Sequence, residues 1–232
     1  MTIITINAAG CGSGKTTNNR DIINKNIQDR FLILVPSIEL TKEYDGKVIT
    51  SDNSNNVQQS IEDALEASHR TIIITHKAFL DCSFKQRLVF DRVVIQDEQI
   101  SPLKYTQFSD ENHKNLLTPI NDTGWSELAY NHEEIKKFIE NKDSFDDTLF
   151  LKDLIAGPYK VWTNHVENDK ERFICAVLDP NCYEGAKEVI ITCANFTHTL
   201  QHTLWNEIFN LPMAVAVPFK KYNTPKLKIH YA

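Results

Sequence analysis

The sequence predicts an α/β protein built on a central parallel sheet flanked by helices, and three observations point to this fold class. Short β-branched runs, typical of buried strands, alternate with stretches that carry apolar residues on one helical face. A glycine-rich segment separates the first predicted strand from the first predicted helix. Two adjacent acids follow another β-branched run, residues 93–95. Strands that alternate with helices favour parallel pairing through right-handed crossovers.

The elements follow from local patterns along the chain. Residues 2–6 are β-branched throughout, which is a strong strand signal. A polar turn precedes the third predicted helix, and Ser54 or Asn55 is predicted to cap it. Strands are predicted near residues 2–8, 31–36, 47–50, 71–75, 92–96, 188–193 and 213–217. Helices are predicted near residues 15–28, 38–44, 55–69, 77–88 and 198–210.

Composition bounds the class of protein. The 232 residues are 41% hydrophobic and 24% charged, which argues against wholesale disorder. The net charge of −6 excludes a strongly basic nucleic-acid coat protein but leaves room for a local basic groove. No apolar run approaches the ~20 residues of a membrane span. We therefore expect a cytoplasmic protein with no membrane partner. The five cysteines are scattered, which favours reduced thiols over a disulfide framework or a zinc site.

The segment between the first strand and the first helix carries a phosphate-binding pattern. It matches GxxxxGK[ST], with Ala9 in the place of the first glycine. In such a loop the backbone N–H groups and the helix N-terminus hold phosphate. Lys15 would reach the β- and γ-phosphates, and the Thr16 hydroxyl would bind Mg²⁺. The predicted nucleotide-binding residues are Ala9, Gly10, Cys11, Gly12, Ser13, Gly14, Lys15, Thr16 and Thr17.

A nucleotide site also needs carboxylates beside the phosphate loop, and the adjacent acids Asp97 and Glu98 could supply them. A buried parallel strand ending in Asp97 and Glu98 would deliver both carboxylates to the carboxyl edge of the sheet. Beside a phosphate loop, Asp97 would hold Mg²⁺, directly or through water. Glu98 would orient and deprotonate the attacking water. The predicted catalytic residues are Lys15, Asp97, Glu98 and Gln99, and the predicted metal ligands are Thr16 and Asp97.

The two segments AGCGSGKT and VVIQDEQ resemble motifs I and II of the superfamily 1 and 2 (DEAD/DEAH-like) helicases. Residues 31–40 are similar to motif Ia, residues 71–80 to the strand that precedes motif II, and residues 189–196 occupy the place of motif III. The resemblance covers residues 2–100 and about 187–217. The chain departs from the family in its DEQ box, in the TCANF segment, and in having no upstream adenine-reading glutamine motif.

The resemblance implies a RecA-like P-loop NTPase lobe that uses ATP and Mg²⁺. This lobe would comprise residues 1–100 and 187–232. Residues 101–186 would form a mainly helical inserted subdomain, with helices over 126–141 and 145–155 and aromatic residues for a small core. Because helicases of these superfamilies use two such lobes, we expect a second RecA-like lobe in the same or another chain. The sequence would then be part of a longer protein or a one-lobed relative.

The resemblance also implies where nucleic acid would bind. Strand ends after motif Ia and before motif II would face single-stranded nucleic acid, with DNA favoured over RNA. The predicted contact residues are Pro36, Ser37, Thr75, His76 and Lys77. An ordinary helix cap is the alternative role for Ser37 and Thr75, and a structural role is the alternative for His76.

Four functions remain open at this point. The leading hypothesis is the first motor lobe of an ATP-dependent helicase or translocase, possessing little turnover by itself. The second is another P-loop ATPase, such as a DNA-packaging terminase motor. A nucleotide kinase is the third, although kinases rarely place an acid pair at a strand end before a strand like motif III. The fourth is an interaction module that binds nucleotide without hydrolysis. The compact motor and glycine-poor composition suggest a phage or mobile-element source.

Overall fold

A computed structural model of the chain describes residues 4–8, 13–109, 117–119, 125–130, 132–140, 150–152, 154, 157, 159–164, 171–211 and 213–215. The described strands form two sheets. The first contains β1 (Ile4–Asn7), β2 (Phe31–Val35), β3 (Lys47–Ile49), β4 (Thr71–Thr75) and β5 (Val93–Asp97). The second contains β6 (Leu103–Ser109), β7 (Leu117–Pro119), β8 (Trp125–Tyr130), β9 (Tyr159–Asn164) and β10 (Glu171–Leu178). The chain then returns to the first sheet with β11 (Glu188–Thr192) and β12 (Ala214–Val215).

The first sheet has seven strands in the order β12-β1-β11-β5-β2-β4-β3, and every pair is parallel. All seven strands predicted from the sequence are confirmed. β11 lies between β1 and β5, and the register places Asn7, Thr192 and Asp97 in one row across the three strands. The ends of β1 and β5 therefore meet at the same edge, with one strand between them.

Both faces of this sheet are covered, which explains its continuous apolar strands. In β2, Leu32 and Leu34 belong to one buried cluster, whereas Phe31, Ile33 and Val35 belong to the other. Alternate residues of a strand point to opposite faces, so a strand buried on both faces is apolar throughout. The predicted α/β class with a parallel sheet and flanking helices is thus confirmed at this level.

The described helices are α1 (Lys15–Lys25), α2 (Ile38–Thr41), α3 (Val57–Glu66), α4 (His76–Asp81), α5 (Lys85–Val89), α6 (His132–Glu140) and α7 (Leu200–Phe209). The helix predicted over 77–88 is two helices, because Cys82 is extended and ends α4. Asn56, rather than Ser54 or Asn55, caps α3 by accepting a hydrogen bond from the backbone of Gln59 at 3.1 Å. No helix in these described ranges is long and apolar enough to cross a membrane.

The prediction of a mainly helical insertion is wrong for the part of the chain that the structure describes. The second sheet is antiparallel, in the order β6-β10-β9-β8-β7. In β9, Tyr159, Val161 and Thr163 are buried, whereas Lys160 and Trp162 are only half-buried. This period of two is the signature of a strand with one buried face. Residues 126–130, predicted as helix, belong to β8, and the helix begins only at His132.

Residues from this segment join the core of the parallel sheet. Phe150 and Tyr159 belong to the same buried cluster as Ile4 and Trp205. The Trp205 indole donates to the backbone carbonyl of Leu178 at 2.8 Å, which ties α7 to the end of β10. Of the helix predicted over 145–155, residues 150–152 and 154 are helical, and residues 145–149 lie outside the described ranges. The predicted domain boundaries stay a prediction.

Candidate functional site

The carboxyl edge of the parallel sheet brings the predicted charged residues together. Lys15 is the first residue of α1, which follows β1, and its Nζ lies 3.5 Å from Oε1 of Glu98 at the end of β5. Lys15 is 9% exposed, whereas the Glu98 side chain is 40% exposed. Asp97 is the last residue of β5 and is 4% exposed. Residues separated by more than eighty positions thus form one group.

The turn into α1 depends on a glycine. Gly14 has φ 80° and ψ 27°, a left-handed conformation that residues with a Cβ rarely adopt. A Cβ on Gly14 would meet no atom within 4 Å, so its conformation and not lack of space requires glycine. Thr16 is half-buried and Thr17 exposed in the first turn of α1. Ser13 precedes the turn, and its buried Oγ makes no hydrogen bond. Residues 9–12 of the predicted loop lie outside the described ranges.

Asp97 is held by a buried hydrogen-bond network. The Tyr44 hydroxyl donates to Oδ2 of Asp97 at 2.8 Å. Nδ2 of Asn19, on α1, donates to the Tyr44 oxygen at 3.1 Å and to Oγ1 of Thr192 at 2.9 Å. Burial raises the pKa of Asp97, against hydrogen bonds from Tyr44 and Thr192 and the charge of Lys15. Sequence reasoning missed Tyr44 and Asn19, because neither stands in a motif.

Glu98 is held through its backbone, and its charge acts on a neighbouring thiol. Its backbone N–H donates to the carbonyl of Thr192 at 2.8 Å, which ties the turn after β5 to the end of β11. The Cys193 thiol donates to the backbone carbonyl of Ala194 at 3.4 Å. Burial first, and then the neighbouring Glu98 side chain and its charge, raise the pKa of Cys193 to about 12. The side chain of Gln99, the fourth predicted catalytic residue, is exposed.

A groove opens beside this group, at the carboxyl ends of β2, β3 and β4. It has a volume of about 560 Å³. Four of the five residues predicted to contact nucleic acid line it, namely Pro36, Ser37, Thr75 and Lys77. The structure adds polar residues from the segment between β3 and α3 and from the first turn of α3. These are Thr50, Ser51, Asn55, Asn56 and Gln58, which the sequence indicated only as a polar turn and a helix start.

The groove residues have local partners. Thr75 caps α4, since its Oγ1 accepts from the backbone of Ala78 at 3.2 Å, and the capping role is confirmed for it. Ser37 precedes α2 without a side-chain capping bond. A backbone hydrogen bond, then one from the Ser37 hydroxyl, lower the pKa of Glu39. Nζ of Lys77 lies 2.7 Å from Oδ2 of Asp81, one helical turn away.

His76 does not line the groove. It is 9% exposed. Burial lowers the pKa of His76 to about 4, against the opposing effect of the backbone carbonyls of Leu34 and Asp97 and of the Glu98 charge. The structure thus buries His76 near the backbone of Leu34 and Asp97, rather than placing it on the surface where nucleic acid was predicted.

The described residues contain no group of three or more histidine, cysteine, aspartate or glutamate side chains arranged to hold a metal ion. No protein-family model matches the chain. The chain is 27% identical over 155 residues to the Bifunctional protein GlmU of two strains of Clostridium perfringens. The match covers 64% of this chain and 32% of each relative, so the chain spans about a third of the length of these curated relatives.

Proposed function

We propose that the chain is the first motor lobe of an ATP-dependent nucleic-acid helicase or translocase with a RecA-like P-loop fold. The observation that carries this proposal is the 3.5 Å approach of Lys15 Nζ to Glu98 Oε1 at the carboxyl edge of a parallel sheet. Open α/β sheets bind their ligands at this edge. The strand that resembles motif III, β11, runs between β1 and β5 and ends in the same row as Asp97.

The residues at this edge fit Mg²⁺ bound to a nucleotide. The Asp97 carboxylate and the Thr16 hydroxyl are hard oxygen donors, which suit this ion. Magnesium at nucleotide sites takes one or two protein ligands beside phosphate oxygens, so a cluster of three acids is not required. Mg²⁺ held by these two residues would neutralise charge on the phosphates. The Tyr44 hydroxyl, 2.8 Å from Oδ2, fixes the orientation of the Asp97 carboxylate.

The chain's own groups would then act as follows. Lys15 donates to the β- and γ-phosphates as a point charge and exchanges its contact with Glu98 for one with phosphate. The Glu98 carboxylate, 40% exposed and within reach of water, accepts a proton from the water that attacks the γ-phosphate.

The groove would hold single-stranded nucleic acid by its backbone. Its lining residues offer hydroxyl and amide groups, which contact phosphate and sugar without reading sequence. Among the described residues, those that line the groove include no aromatic side chain on which a base could stack. Lys77 is paired with Asp81, so the groove carries little net positive charge there, and we expect affinity to be modest.

Steady-state ATP hydrolysis with and without single-stranded DNA tests this proposal. The variants are Lys15→Ala and, as a matched control, Lys42→Ala, which removes an exposed lysine after α2. We expect Mg²⁺-dependent ATP binding, slow turnover that DNA stimulates, and at least a ~100-fold loss in Lys15→Ala. The control should retain wild-type rates.

Three outcomes would contradict the proposal. Brisk turnover that DNA does not change would favour another P-loop ATPase, such as a DNA-packaging terminase motor. Absence of ATP binding would exclude the phosphate loop. ATP binding with no turnover, even when a second RecA-like lobe is supplied, would favour a nucleotide-binding interaction module.

A further inference from the structure

Glu98 has an unusual backbone conformation for a residue with a side chain. Its φ is 68°, in the left-handed region. A Cβ makes this region unfavourable, so such a residue persists only where its surroundings hold it. Glu98 occupies the turn that directs its carboxylate toward Lys15. The groups that hold this turn therefore determine where the carboxylate lies.

Two buried glutamine side chains form hydrogen bonds with the backbone of this turn, one at Glu98 and the other at Ile100. Nε2 of Gln96 donates to the backbone carbonyl of Glu98 at 2.9 Å. The backbone N–H of Ile100 donates to Oε1 of Gln201 at 3.0 Å. The two amides are joined, because Nε2 of Gln96 also donates to Oε1 of Gln201 at 3.1 Å. Both side chains are 0% exposed, so water does not compete for these bonds.

The backbone dictates which way each amide points. The N–H of Ile100 can only donate, so Gln201 must present its oxygen. The carbonyl of Glu98 can only accept, so Gln96 must present its nitrogen. Oε1 of Gln96 is then left to accept from the Tyr183 hydroxyl at 2.6 Å. Rotating either side-chain amide by about 180° would place a donor against a donor or an acceptor against an acceptor. The network therefore has one arrangement.

The network joins three distant segments of the chain. Gln96 interrupts the apolar strand β5, Gln201 lies on α7, and Tyr183 ends the short 3₁₀ helix Pro180–Tyr183. A buried amide is costly unless its hydrogen bonds are made. An apolar residue would satisfy the packing of β5 at position 96 without that requirement. The polar side chain of Gln96 is explained by the hydrogen bond that it donates to the carbonyl of Glu98 in the turn.

We propose that Gln96 and Gln201 are positioning residues that hold Glu98 in the orientation needed for proton transfer from water. This inference rests on the proposed ATP hydrolysis. Tyr183 acts one step further away, by orienting the amide of Gln96. The pair does not touch the nucleotide, so its loss should lower the rate of chemistry and leave nucleotide affinity unchanged.

Gln201→Met and Gln201→Glu form the matched test. Methionine removes the acceptor for Ile100 and Gln96, whereas glutamate keeps an oxygen for both. In its protonated form glutamate can also donate to Oε1 of Gln96, in the place of Nε2 of Gln201, which lies 3.5 Å from that oxygen. We expect Gln201→Met to lower kcat by about 10²-fold with the Kd for Mg-ATP within about threefold of wild type. Gln201→Glu should recover most of this loss. Tyr183→Phe is a milder second variant that keeps the ring, and we expect a loss of about threefold from it.

The rate of hydrogen exchange at the backbone N–H of Ile100 is a measurement that does not depend on turnover. We expect exchange at this N–H to speed up in Gln201→Met and to return toward wild type in Gln201→Glu, while exchange in β2 is unchanged. Equal exchange in all three proteins would overturn the inference, even if the wild type binds ATP without hydrolysing it.

The outcomes separate this inference from the function on which it rests. If the wild type hydrolyses ATP, Lys15→Ala does not, and folded Gln201→Met keeps the wild-type kcat, then the positioning role fails alone. A kcat that falls only in proportion to the folded fraction would also overturn it, as would an equal loss in the glutamate variant. If the wild type matches Lys15→Ala in both ATP binding and turnover, the proposed function fails, and the positioning role fails with it.

Discussion

The two edges of the parallel sheet are built differently. At the amino edge, arginine side chains satisfy backbone carbonyls. Arg92, 1% exposed, donates to the carbonyls of Phe31, His69 and Arg70 at 3.1 to 3.4 Å. Arg70 donates in the same way to three carbonyls at and beyond the end of α1. Hydrogen bonds from the buried Arg92 and the exposed Arg70 thus satisfy backbone carbonyls along this edge.

At the carboxyl edge, buried polar atoms are left without hydrogen bonds. Within the described residues these include Oγ of Ser13, Oδ1 of Asn19 and Nε2 of His76. Native proteins satisfy most buried polar atoms, so unsatisfied ones need an explanation. Asp97 is also buried here, at 4% exposed, and burial raises its pKa. The contrast supports the proposal that the carboxyl edge binds a ligand, whereas the amino edge contributes to stability.

Glu98→Gln should produce the largest effect and test the carboxyl edge. Glutamine keeps the shape of Glu98 but cannot accept a proton, so ATP turnover should fall by about 10³-fold. Because the side chain is 40% exposed, the free energy of unfolding should hardly change. Turnover and urea unfolding measure the two. The control is Glu140→Gln, an exposed glutamate that ends α6. A variant that kept most of its turnover would remove Glu98 from the chemistry.

Arg92→Met should show the opposite pattern at the amino edge. The change leaves three carbonyls without their buried donor, and we expect unfolding free energy to fall by about 3 kcal/mol. Turnover per folded molecule should stay at the wild-type level. Arg87→Met is the control, because Arg87 is exposed and its ion pairs are long, at 3.7 and 3.8 Å. Equal losses in the two variants would show that the amino edge does not depend on buried hydrogen bonds.

The sequence predicted the parallel sheet because its signals are local. In an apolar run such as Phe31–Val35, five consecutive residues are enough to indicate a strand that is buried on both faces. Lys15 and Glu98 were placed in one site because parallel strands end at the same edge, and the structure brings them to 3.5 Å. Their chemical roles stay predictions, since only the geometry has been observed.

What the sequence could not predict depends on distant contacts. Tyr44 reaches Asp97 across fifty-three positions from a loop with no motif. His76 follows a predicted contact strand, yet tertiary packing buries it. The second sheet was missed in the same way. Residues 126–130 were predicted as helix, but they form β8, in which Ser126 lies opposite Thr163 of β9, a distant segment of the chain.

Tyr44→Phe should test whether the hydrogen bond from Tyr44 to Asp97 supports Mg²⁺ binding at the carboxyl edge. Loss of the hydroxyl frees the Asp97 carboxylate to rotate, and the Mg²⁺ concentration for half-maximal turnover should rise about 10-fold. A magnesium titration of ATP hydrolysis measures this change. Tyr105→Phe is the control, since the Tyr105 side chain in β6 is 68% exposed. An unchanged magnesium requirement in Tyr44→Phe would show that this hydrogen bond does not orient a metal ligand.

Lys85 is a buried cation away from the amino edge, and like Arg92 it donates to backbone carbonyls. Its Nζ donates to the carbonyls of Leu80 and Cys82, and it is 3% exposed. Burial lowers its pKa from the ordinary 10.5 to about 8. Between these values the unfolded chain holds the proton that the folded protein has lost, so stability increases with pH. That contribution is complete above 10.5 and is lost as pH falls through 8.

The unfolding free energy of the wild type, relative to Lys85→Met, should therefore increase by about 1 kcal/mol from pH 7 to pH 9. Urea unfolding at both pH values measures it, and comparison with the variant cancels the titration of other groups. Lys42→Met, which removes an exposed lysine, should show no such change relative to wild type. A constant difference for Lys85→Met would mean that the carbonyl contacts keep this lysine charged when it is buried. The carbonyl contacts of the buried Arg92 would then be sufficient to keep that side chain charged as well.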